Sequence, residues 1–248
     1  MRIKIINPDY GMTAQELAQR VEILSAVVRP DTMLDMVCLE KHQVVIDSAL
    51  DVIAAGPEIV GLAQQAEREG YDAVVLYCFS DPALTACREA LQIPVVGAGQ
   101  CALLAAVNLG YHVGLLTTGA ARIPEKKMFA YAAGVAPERL AAVVSIDMDM
   151  AELHKDEALT LDKLCTAGTQ ALDAGAQVLV LGCLSFLGWA EPLSERLHVP
   201  VIDPAKIAAA TAEMLAVQHL TMSKRAYPTP PAGRRVWPAG EISVVEGG

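Results

Sequence analysis

Aromatic residues are scarce in this sequence, at 4% of its 248 positions, while hydrophobic residues as a whole make up 53%. The core must therefore be aliphatic, and runs of Ala, Val, Leu and Ile are typical of buried parallel strands covered by helices. Charged residues are also few, at 19%, which indicates a folded protein rather than a disordered chain. This length suffices for one large α/β domain or for two fused smaller ones.

The sequence has no stripe of basic residues and no long apolar run. Its net charge is -10, and because phosphate contacts need clustered Lys and Arg, the composition argues against nucleic-acid binding. No apolar run approaches the roughly 20 residues of a membrane helix. The apolar stretch at the N-terminus is short and is broken by Asn7 and Pro8, unlike a signal peptide. We therefore expect a cytoplasmic protein, free of the membrane, whose thiols stay reduced.

Motifs for metals and cofactors are missing as well. The six cysteines form no CxxC pair, and the five histidines share no metal-ligand spacing. No lysine stands in a pyridoxal-phosphate setting, and no glycine-rich loop suits a phosphate. We therefore expect no metal and no cofactor, and a small molecule as the binding partner.

Short apolar strands alternate with helical stretches along the chain. Such alternation predicts parallel sheets with right-handed crossovers, and so an α/β fold. The predicted strands are Ile3–Ile6, Met33–Val37, Ala73–Tyr77, Val95–Val96, Val113–Leu116, Ala142–Ser145, Val178–Leu181 and Val201–Ile202. The predicted helices are Thr13–Ser25, Gly56–Glu69, Ala83–Leu91, Gln100–Leu109, Ala158–Ala174, Leu187–Leu197 and Ala205–Gln218.

An internal repeat relates residues 72–97 to residues 176–203. In each segment an apolar strand runs into a cysteine, a serine follows two residues later, and a proline opens another short apolar strand. Cys78 and Pro94 are 16 residues apart, and Cys183 and Pro200 are 17 apart, so the match needs one insertion. Repeats of this kind mean duplicated structural units. The repeat predicts two similar parallel-sheet α/β halves, related by pseudo-two-fold symmetry, with the active site between them.

The expected domain boundaries follow from this repeat. The first half covers residues 1–98 together with a final helix, within 205–220, that crosses back to it, and the second half covers residues 99–204. Residues 223–248 form a separate tail that is rich in Pro and Gly. We expect that tail to be a loosely ordered extension, which Tyr227 and Trp237 would anchor on a neighbouring subunit.

Cys78 and Cys183 are the candidate catalytic residues. Each follows a strand and precedes a helix, at the edge where open α/β sheets bind ligands. A thiol beside a helix N-terminus feels the positive end of the helix dipole, so we expect a lowered thiol pKa. We expect Asp81, which precedes Pro82, to cap the following helix, with tuning of the Cys78 pKa as an alternative role. The other four cysteines are interpreted as packing residues.

If the two halves face each other, the two thiols point into one cleft from opposite sides. Racemisation at a carbon acid needs a base on one face of that carbon and an acid on the other. One thiolate would remove the proton, and the opposite thiol would return a proton to the other face. Amide N–H groups and Ser or Thr hydroxyls would stabilise the planar carbanion or enolate. The sequence therefore predicts a cofactor-independent racemase or epimerase.

Six segments carry a likeness to a known family: INPDYGMT at 6–13, YDAVVLYCFSDPAL at 71–84, IPVVGAGQCALL at 93–104, GLLTTGAARIPE at 114–125, VLVLGCLSF at 178–186 and VPVIDPAKIAA at 199–209. Through them the chain, from residue 1 to about residue 218, resembles the aspartate/glutamate/hydantoin racemase superfamily, and within it the hydantoin and allantoin racemases. The resemblance implies that Cys78 and Cys183 are the acid–base pair, that a hydantoin or allantoin is the substrate, and that the enzyme is a homo-oligomer. It implies a substrate pocket formed by Asn7, Phe79, Ser80, Thr117, Thr118, Leu184 and Ser185.

Three departures from the family pattern concern the substrate. The start reads NPDY instead of NPN followed by Thr or Ser, so Asp9 and Tyr10 alter the mouth of the pocket. Gln100 stands where the family often has Glu. The second cysteine motif reads Gly-Cys-Leu-Ser-Phe instead of Gly-Cys-Ala-Gly-Met, and the bulkier Leu184 and Phe186 predict a tighter or more apolar pocket.

Other functions stay open at this point. A decarboxylase of the same superfamily would need only the cysteine at the position of Cys183, so the presence of both cysteines argues against it. A cis–trans isomerase would form a covalent adduct at Cys78. A two-lobed small-molecule binding protein would use the same cleft without chemistry.

Overall fold

A computed structural model describes residues 1–43 and 45–233, and strands alternate with helices through this range. None of the helices in it is long and apolar enough to cross a membrane. The strands are β1 (Arg2–Tyr10), β2 (Met33–Leu39), β3 (Ala73–Leu76), β4 (Val95–Gly97), β5 (Val113–Thr117), β6 (Leu140–Ser145), β7 (Val178–Leu181) and β8 (Val201–Ile202). The helices are α1 (Ala14–Ser25), α2 (Ala49–Arg68), α3 (Leu84–Ala90), α4 (Ala98–Leu109), α5 (Ile123–Ala132), α6 (Glu157–Asp173), α7 (Ala190–Leu197) and α8 (Pro204–Val217).

The strands of the described residues form two four-stranded sheets in which every pairing is parallel. The first sheet has the order β2-β1-β3-β4 and the second the order β6-β5-β7-β8, so the second repeats the topology of the first. Ile5 pairs with Val75 in the first sheet, as Leu115 pairs with Val180 in the second. This arrangement confirms the predicted α/β fold of two similar halves.

Side chains of the central strands alternate between two cores, as the pleat of a strand requires. Ile3 and Ile5 of β1 face a core that both halves share, whereas Ile6 faces a separate core beneath α2 and α3. The side chains of β7 alternate in the same way between the shared core and a third core beneath α6 and α7. Each sheet is therefore covered on both faces, which is the usual condition of a parallel sheet.

The helices α4 and α8 fill the shared core. α4 follows the last strand of the first sheet but packs on β7 and β8, and α8 follows the last strand of the second sheet but packs on β1, β3 and β4. The two helices also pack against each other. Both carry fully buried alanines, Ala102 and Ala106 on α4 and Ala208 and Ala212 on α8, and such small side chains allow two helix backbones to approach closely.

Two helices differ from the sequence-based prediction. The sequence pattern does not predict α5, because its buried side chains are Lys126 and Ala130, and a lysine on the buried face breaks the apolar periodicity. α2 begins at Ala49 rather than at Gly56. Gly56 and Pro57 are weak helix formers inside α2, and they hide its first turns from a reading of the sequence.

Asp81 caps a different helix from the predicted one. Its carboxylate accepts hydrogen bonds from the backbone N–H groups of Gly99, at 3.0 Å, and Gln100, at 2.8 Å, in the first turn of α4. The following helix, α3, begins after Ala83 with no side-chain cap, so the predicted cap is wrong. Asp81 and Ala83 have positive φ angles of 45° and 59°, and this sharp turn directs the carboxylate away from α3.

Gly97 makes room for the Asp81 carboxylate, because a Cβ at Gly97 would lie 2.3 Å from Asp81 Oδ2. The matching position of the second half holds Asp203, which caps α8 directly. Asp203 also accepts a hydrogen bond, at 3.2 Å, from the backbone N–H of Gly188 in the loop after Cys183. In each half, one buried carboxylate thus joins the loop after the cysteine to the next long helix. In the first half the aspartate, Asp81, belongs to the loop, whereas in the second half the aspartate, Asp203, stands at the start of the helix.

The start of the tail is docked on the first half. Lys224 Nζ donates to the carbonyl groups of Arg88 and Glu89, at 2.9 Å each, at the end of α3, where helix carbonyls lack partners. The Arg88 guanidinium lies 5.5 Å from the centre of the Tyr227 ring and donates to its hydroxyl at 3.3 Å. Tyr227 therefore contacts its own chain, and the expected anchor on a neighbouring subunit stays a prediction. Trp237 lies outside the described residues.

We expect Gly97→Ala to lower the free energy of unfolding by about 1–3 kcal/mol, because the added methyl group displaces Asp81 from the α4 amides. Urea unfolding followed by circular dichroism measures this change. Gly61→Ala in α2 is the matched control, since a Cβ at Gly61 meets nothing within 4 Å. That control should be neutral or gain up to about 1 kcal/mol. Equal stability of the two variants would contradict the packing described for Gly97.

Candidate active site

Cys78 and Cys183 lie at the carboxyl ends of the two sheets. Each is separated by one residue from the end of its strand, Cys78 from β3 and Cys183 from β7. Both are half-buried, and both line one pocket that is formed by residues of the two halves. The residue before Cys183 must be small, because a Cβ at Gly182 would lie 2.6 Å from the Leu116 carbonyl oxygen. The strand ends thus bring the two thiols to a common space.

Most of the residues that the sequence predicts at the site line this pocket. In the part of the chain that the structure describes, no group of three or more His, Cys, Asp or Glu side chains is placed to hold a metal ion. The predicted residues that line the pocket are Cys78, Phe79, Ser80, Thr117, Thr118, Cys183, Leu184 and Ser185.

Asn7 lies behind the pocket wall. It is fully buried, its Oδ1 accepts a hydrogen bond from the Asp9 backbone N–H at 3.2 Å, and its Nδ2 lies 3.0 Å from Met12 Sδ. Asp9 and Met12 themselves line the pocket. Asn7 therefore shapes the segment that presents these two residues, and this placement differs from the predicted substrate contact.

The serine two residues after each cysteine lowers the pKa of that thiol. The Ser80 backbone N–H acts in this way on Cys78, and the backbone N–H and hydroxyl of Ser185 act on Cys183. Donors to sulfur favour the thiolate over the thiol. The two cysteine loops therefore repeat the same local support around each sulfur atom.

Burial has a larger effect on the thiols than these donors. It raises the pKa of Cys78 to about 12, and it raises the pKa of Cys183 above its ordinary value. The predicted lowering of the thiol pKa is therefore wrong. The 3-10 turn Leu184–Phe186 follows Cys183, and a turn follows Cys78, so neither sulfur lies at the start of an α-helix. The positive charge of Lys126 lowers the pKa of both thiols and offsets burial in part.

A hydrogen bond joins the two cysteine loops across the pocket floor. The Tyr77 hydroxyl donates to the Leu184 carbonyl oxygen at 3.4 Å. Burial raises the pKa of Tyr77, so the hydroxyl keeps its proton and remains a donor. Because Tyr77 precedes Cys78 and Leu184 follows Cys183, this bond links the positions of the two thiols.

Three cations line the pocket that the sequence reading does not assign to it: Arg20 of α1, Arg122, and Lys126 of α5. Arg122 Nη1 donates to the Asp47 carbonyl oxygen at 2.7 Å and so ties the segment before α2 to the second half. Lys126 is almost fully buried, with its Nζ 3.3 Å from Ser80 Oγ. Of these three cations, only Arg122 lies within a segment that resembles the family, GLLTTGAARIPE at 114–125.

The relatives of this chain indicate a racemase, an isomerase that inverts a stereocentre. The chain belongs to the Asp/Glu/hydantoin racemase family, whose model matches residues 3–212. It is 31% identical over 237 residues to the hydantoin racemase of Paenarthrobacter aurescens, a match that covers 93% of this chain and 98% of that protein. These findings confirm the family resemblance read from the sequence.

Solved structures show the same fold. The allantoin racemase from Klebsiella pneumoniae matches with a TM-score of 0.87 at 26% identity, over 96% of each chain. Unliganded arylmalonate decarboxylase matches with a TM-score of 0.61 at 22% identity, over 87% of this chain and 92% of that one. The second likeness shows a shared fold alone.

We expect alkylation of Cys78 by iodoacetamide to rise about tenfold per pH unit between pH 7 and 9, because the thiolate is the reactive form and a pKa of about 12 lies above this range. Mass spectrometry of the Cys78 peptide measures the rate. The urea-unfolded chain is the control, and its rate should level off near an ordinary thiol pKa of about 8.5. A plateau below pH 8 in the folded protein would contradict a raised pKa.

Proposed function

We propose that this racemase inverts a small carbon acid by transferring a proton to one of the two thiols of Cys78 and Cys183 and returning a proton from the other, with no cofactor and no metal. The observation that carries the proposal is that matching loops of the two halves each bring one thiol to the same pocket. The other four cysteines, all within the described residues, do not line that pocket. One thiol from each side is the arrangement that inversion at a carbon requires.

The reaction proceeds in two proton transfers. In the first, one thiolate takes the proton, so that the C–H bond breaks, an S–H bond forms, and the electron pair passes into the adjacent carbonyl as an enolate. In the second, the opposite thiol protonates the other face of the carbon and becomes the thiolate. The two cysteines exchange roles for the other enantiomer. The hydroxyls of Thr117 and Thr118 are the donors that stabilise the enolate oxygen.

The electrostatics of the pocket support a state with one thiolate and one thiol. A negative charge on Cys183 raises the pKa of Cys78, so ionisation of both thiols is disfavoured. The charge of Lys126 lowers the pKa of each thiol and favours a single thiolate. One base and one acid are the combination that the reaction needs.

A hydantoin or allantoin is the proposed substrate. The identity of 31% to a hydantoin racemase and the TM-score of 0.87 with an allantoin racemase support it. Both compounds are small rings that carry an acidic C–H beside a carbonyl group. Phe79 and Leu184, each next to a cysteine, are buried apolar side chains against which such a ring would pack.

We further infer a cytoplasmic homo-oligomer with the domains given above, 1–98 plus 205–220 and 99–204. All six cysteines are unpaired, which supports a reducing compartment. The packing of α8 on the first sheet supports its assignment to the first half. The oligomeric state rests on the family resemblance.

We expect Cys78→Ser and Cys183→Ser each to lower racemisation of both enantiomers by about 10²- to 10⁴-fold, because a serine hydroxyl does not supply the base. Polarimetry with enantiopure 5-substituted hydantoins and allantoin measures kcat/KM. Cys165→Ser, in α6 and outside the pocket, is the control and should retain the wild-type rate. Full racemisation by both active-site variants would contradict the two-thiol mechanism. Release of CO₂ from an arylmalonate without any racemisation would instead support a decarboxylase.

Proton exchange in D₂O separates the two half-reactions. Each single variant keeps one thiol, so each should exchange the acidic proton of one enantiomer without inverting it, and the two variants should act on opposite enantiomers. Proton NMR of the substrate measures the exchange, and the wild-type enzyme should exchange and invert both enantiomers. Exchange of the same enantiomer by both variants would show that the thiols do not face each other across the carbon.

A further inference from the structure

Lys126 is a buried cation without a hydrogen-bonded carboxylate. Its side chain is only 8% exposed, and its Nζ donates to the neutral Ser80 hydroxyl at 3.3 Å and lies 4.8 Å from the Phe79 ring centre. Within residues 1–43 and 45–233, its one ion-pair contact is with Glu125 Oε2 at 4.0 Å, beyond hydrogen-bond distance. Because a buried charge is costly unless it is paired, this ammonium gains from an anion brought into the pocket.

The carboxylates near Lys126 do not fill that role. Glu125 Oε2 lies closer to Arg122, at 3.2 Å from Nη2, and Glu125 Oε1 accepts a hydrogen bond from the Ser80 hydroxyl at 3.3 Å, so Glu125 reaches Lys126 through Ser80 rather than by a direct hydrogen bond. Asp9 lines the same pocket, where burial raises its pKa and the charge of Arg20 lowers it, and within the described residues no ion pair joins Asp9 to Lys126. Asp47 also lines the pocket, but it is exposed to solvent, which screens its charge. Among the described residues the Lys126 ammonium therefore has no carboxylate at hydrogen-bond distance, and a carboxylate of a ligand would supply one.

We infer that the substrate carries a carboxylate besides its acidic carbon, and that Lys126 is the residue that selects for it. The inference rests on the proposed function and narrows the substrate to hydantoins, or similar small rings, with an anionic substituent. Lys126 contacts Ser80, two residues after Cys78, so a carboxylate paired with Lys126 would hold the ring beside the Cys78 loop. Arg122 lines the same pocket, but its guanidinium is already paired with Glu125 at 3.2 Å.

Two nearly isosteric substrates test this inference: hydantoin-5-acetate and hydantoin-5-acetamide, which differ by one negative charge. The wild-type enzyme should prefer the acid in kcat/KM, and Lys126→Met should lower the acid-to-amide ratio by about 10- to 100-fold, the worth of a hydrogen bond between charged groups. Lys126→Arg keeps the charge and should retain a preference for the acid. Lys127→Met changes the exposed next residue of α5, outside the pocket, and should keep the wild-type ratio.

Calorimetric binding of the same two compounds separates specificity from catalysis. Tighter binding of the acid that disappears in Lys126→Met, without turnover of either compound, would uphold the selection of a carboxylate by Lys126 and contradict the proposed hydantoin substrate. Equal turnover of acid and amide by the wild-type enzyme would overturn the inference and leave that function standing. Equal loss of both activities in Lys126→Met would also overturn it, since the charge would then act on the thiolate or the enolate rather than on a substituent.

Discussion

The packing of α4 against α8 is the constraint on which the arrangement of the pocket depends. Each helix leaves one sheet and covers the other, so neither sheet has a complete core without a helix that follows from the other half. The two candidate catalytic thiols belong to different halves, and a shift at this helix pair would change the distance between them. Buried alanines leave little room for such a shift. The bond from Tyr77 to Leu184 adds a second link directly at the cysteine loops.

Burial of the thiols has opposite effects on the amount and the strength of the proposed base. A raised thiol pKa makes the thiolate a minor form at neutral pH, but each thiolate that forms is a stronger base towards a weak carbon acid. The amides of Ser80 and Ser185 and the charge of Lys126 counter the first effect without exposing the sulfur atoms to water. The pocket therefore combines a desolvated base with neighbouring groups that limit the rise of its pKa.

The sheets and the cysteine positions could be predicted because buried parallel strands are continuous apolar runs, and because a duplicated pattern repeats its own spacing. Other features depend on long-range placement that the sequence does not reveal. The cap made by Asp81 requires positive φ angles at Asp81 and Ala83, which an alanine does not suggest. The sequence does not predict α5, because Lys126 lies on the buried face of this helix and interrupts the apolar periodicity. Lys126 also lines the pocket. Asn7 belongs to a family-like motif, yet it supports the pocket from behind.

The two carboxylates that join the cysteine loops to α4 and α8 have a consequence for how the halves can change by mutation. An aspartate at position 97 beside Asp81 would place two carboxylates at the same amides, since even a Cβ there meets the Asp81 carboxylate. Loss of Asp81 while Gly97 remains would leave the α4 amides uncapped. The effects of substitutions at positions 81 and 97 therefore depend on each other. Neither an aspartate at position 97 alone nor the loss of Asp81 alone gives the first half the cap that Asp203 provides in the second. The halves keep a common topology, but they are separated by a pair of changes that must occur together.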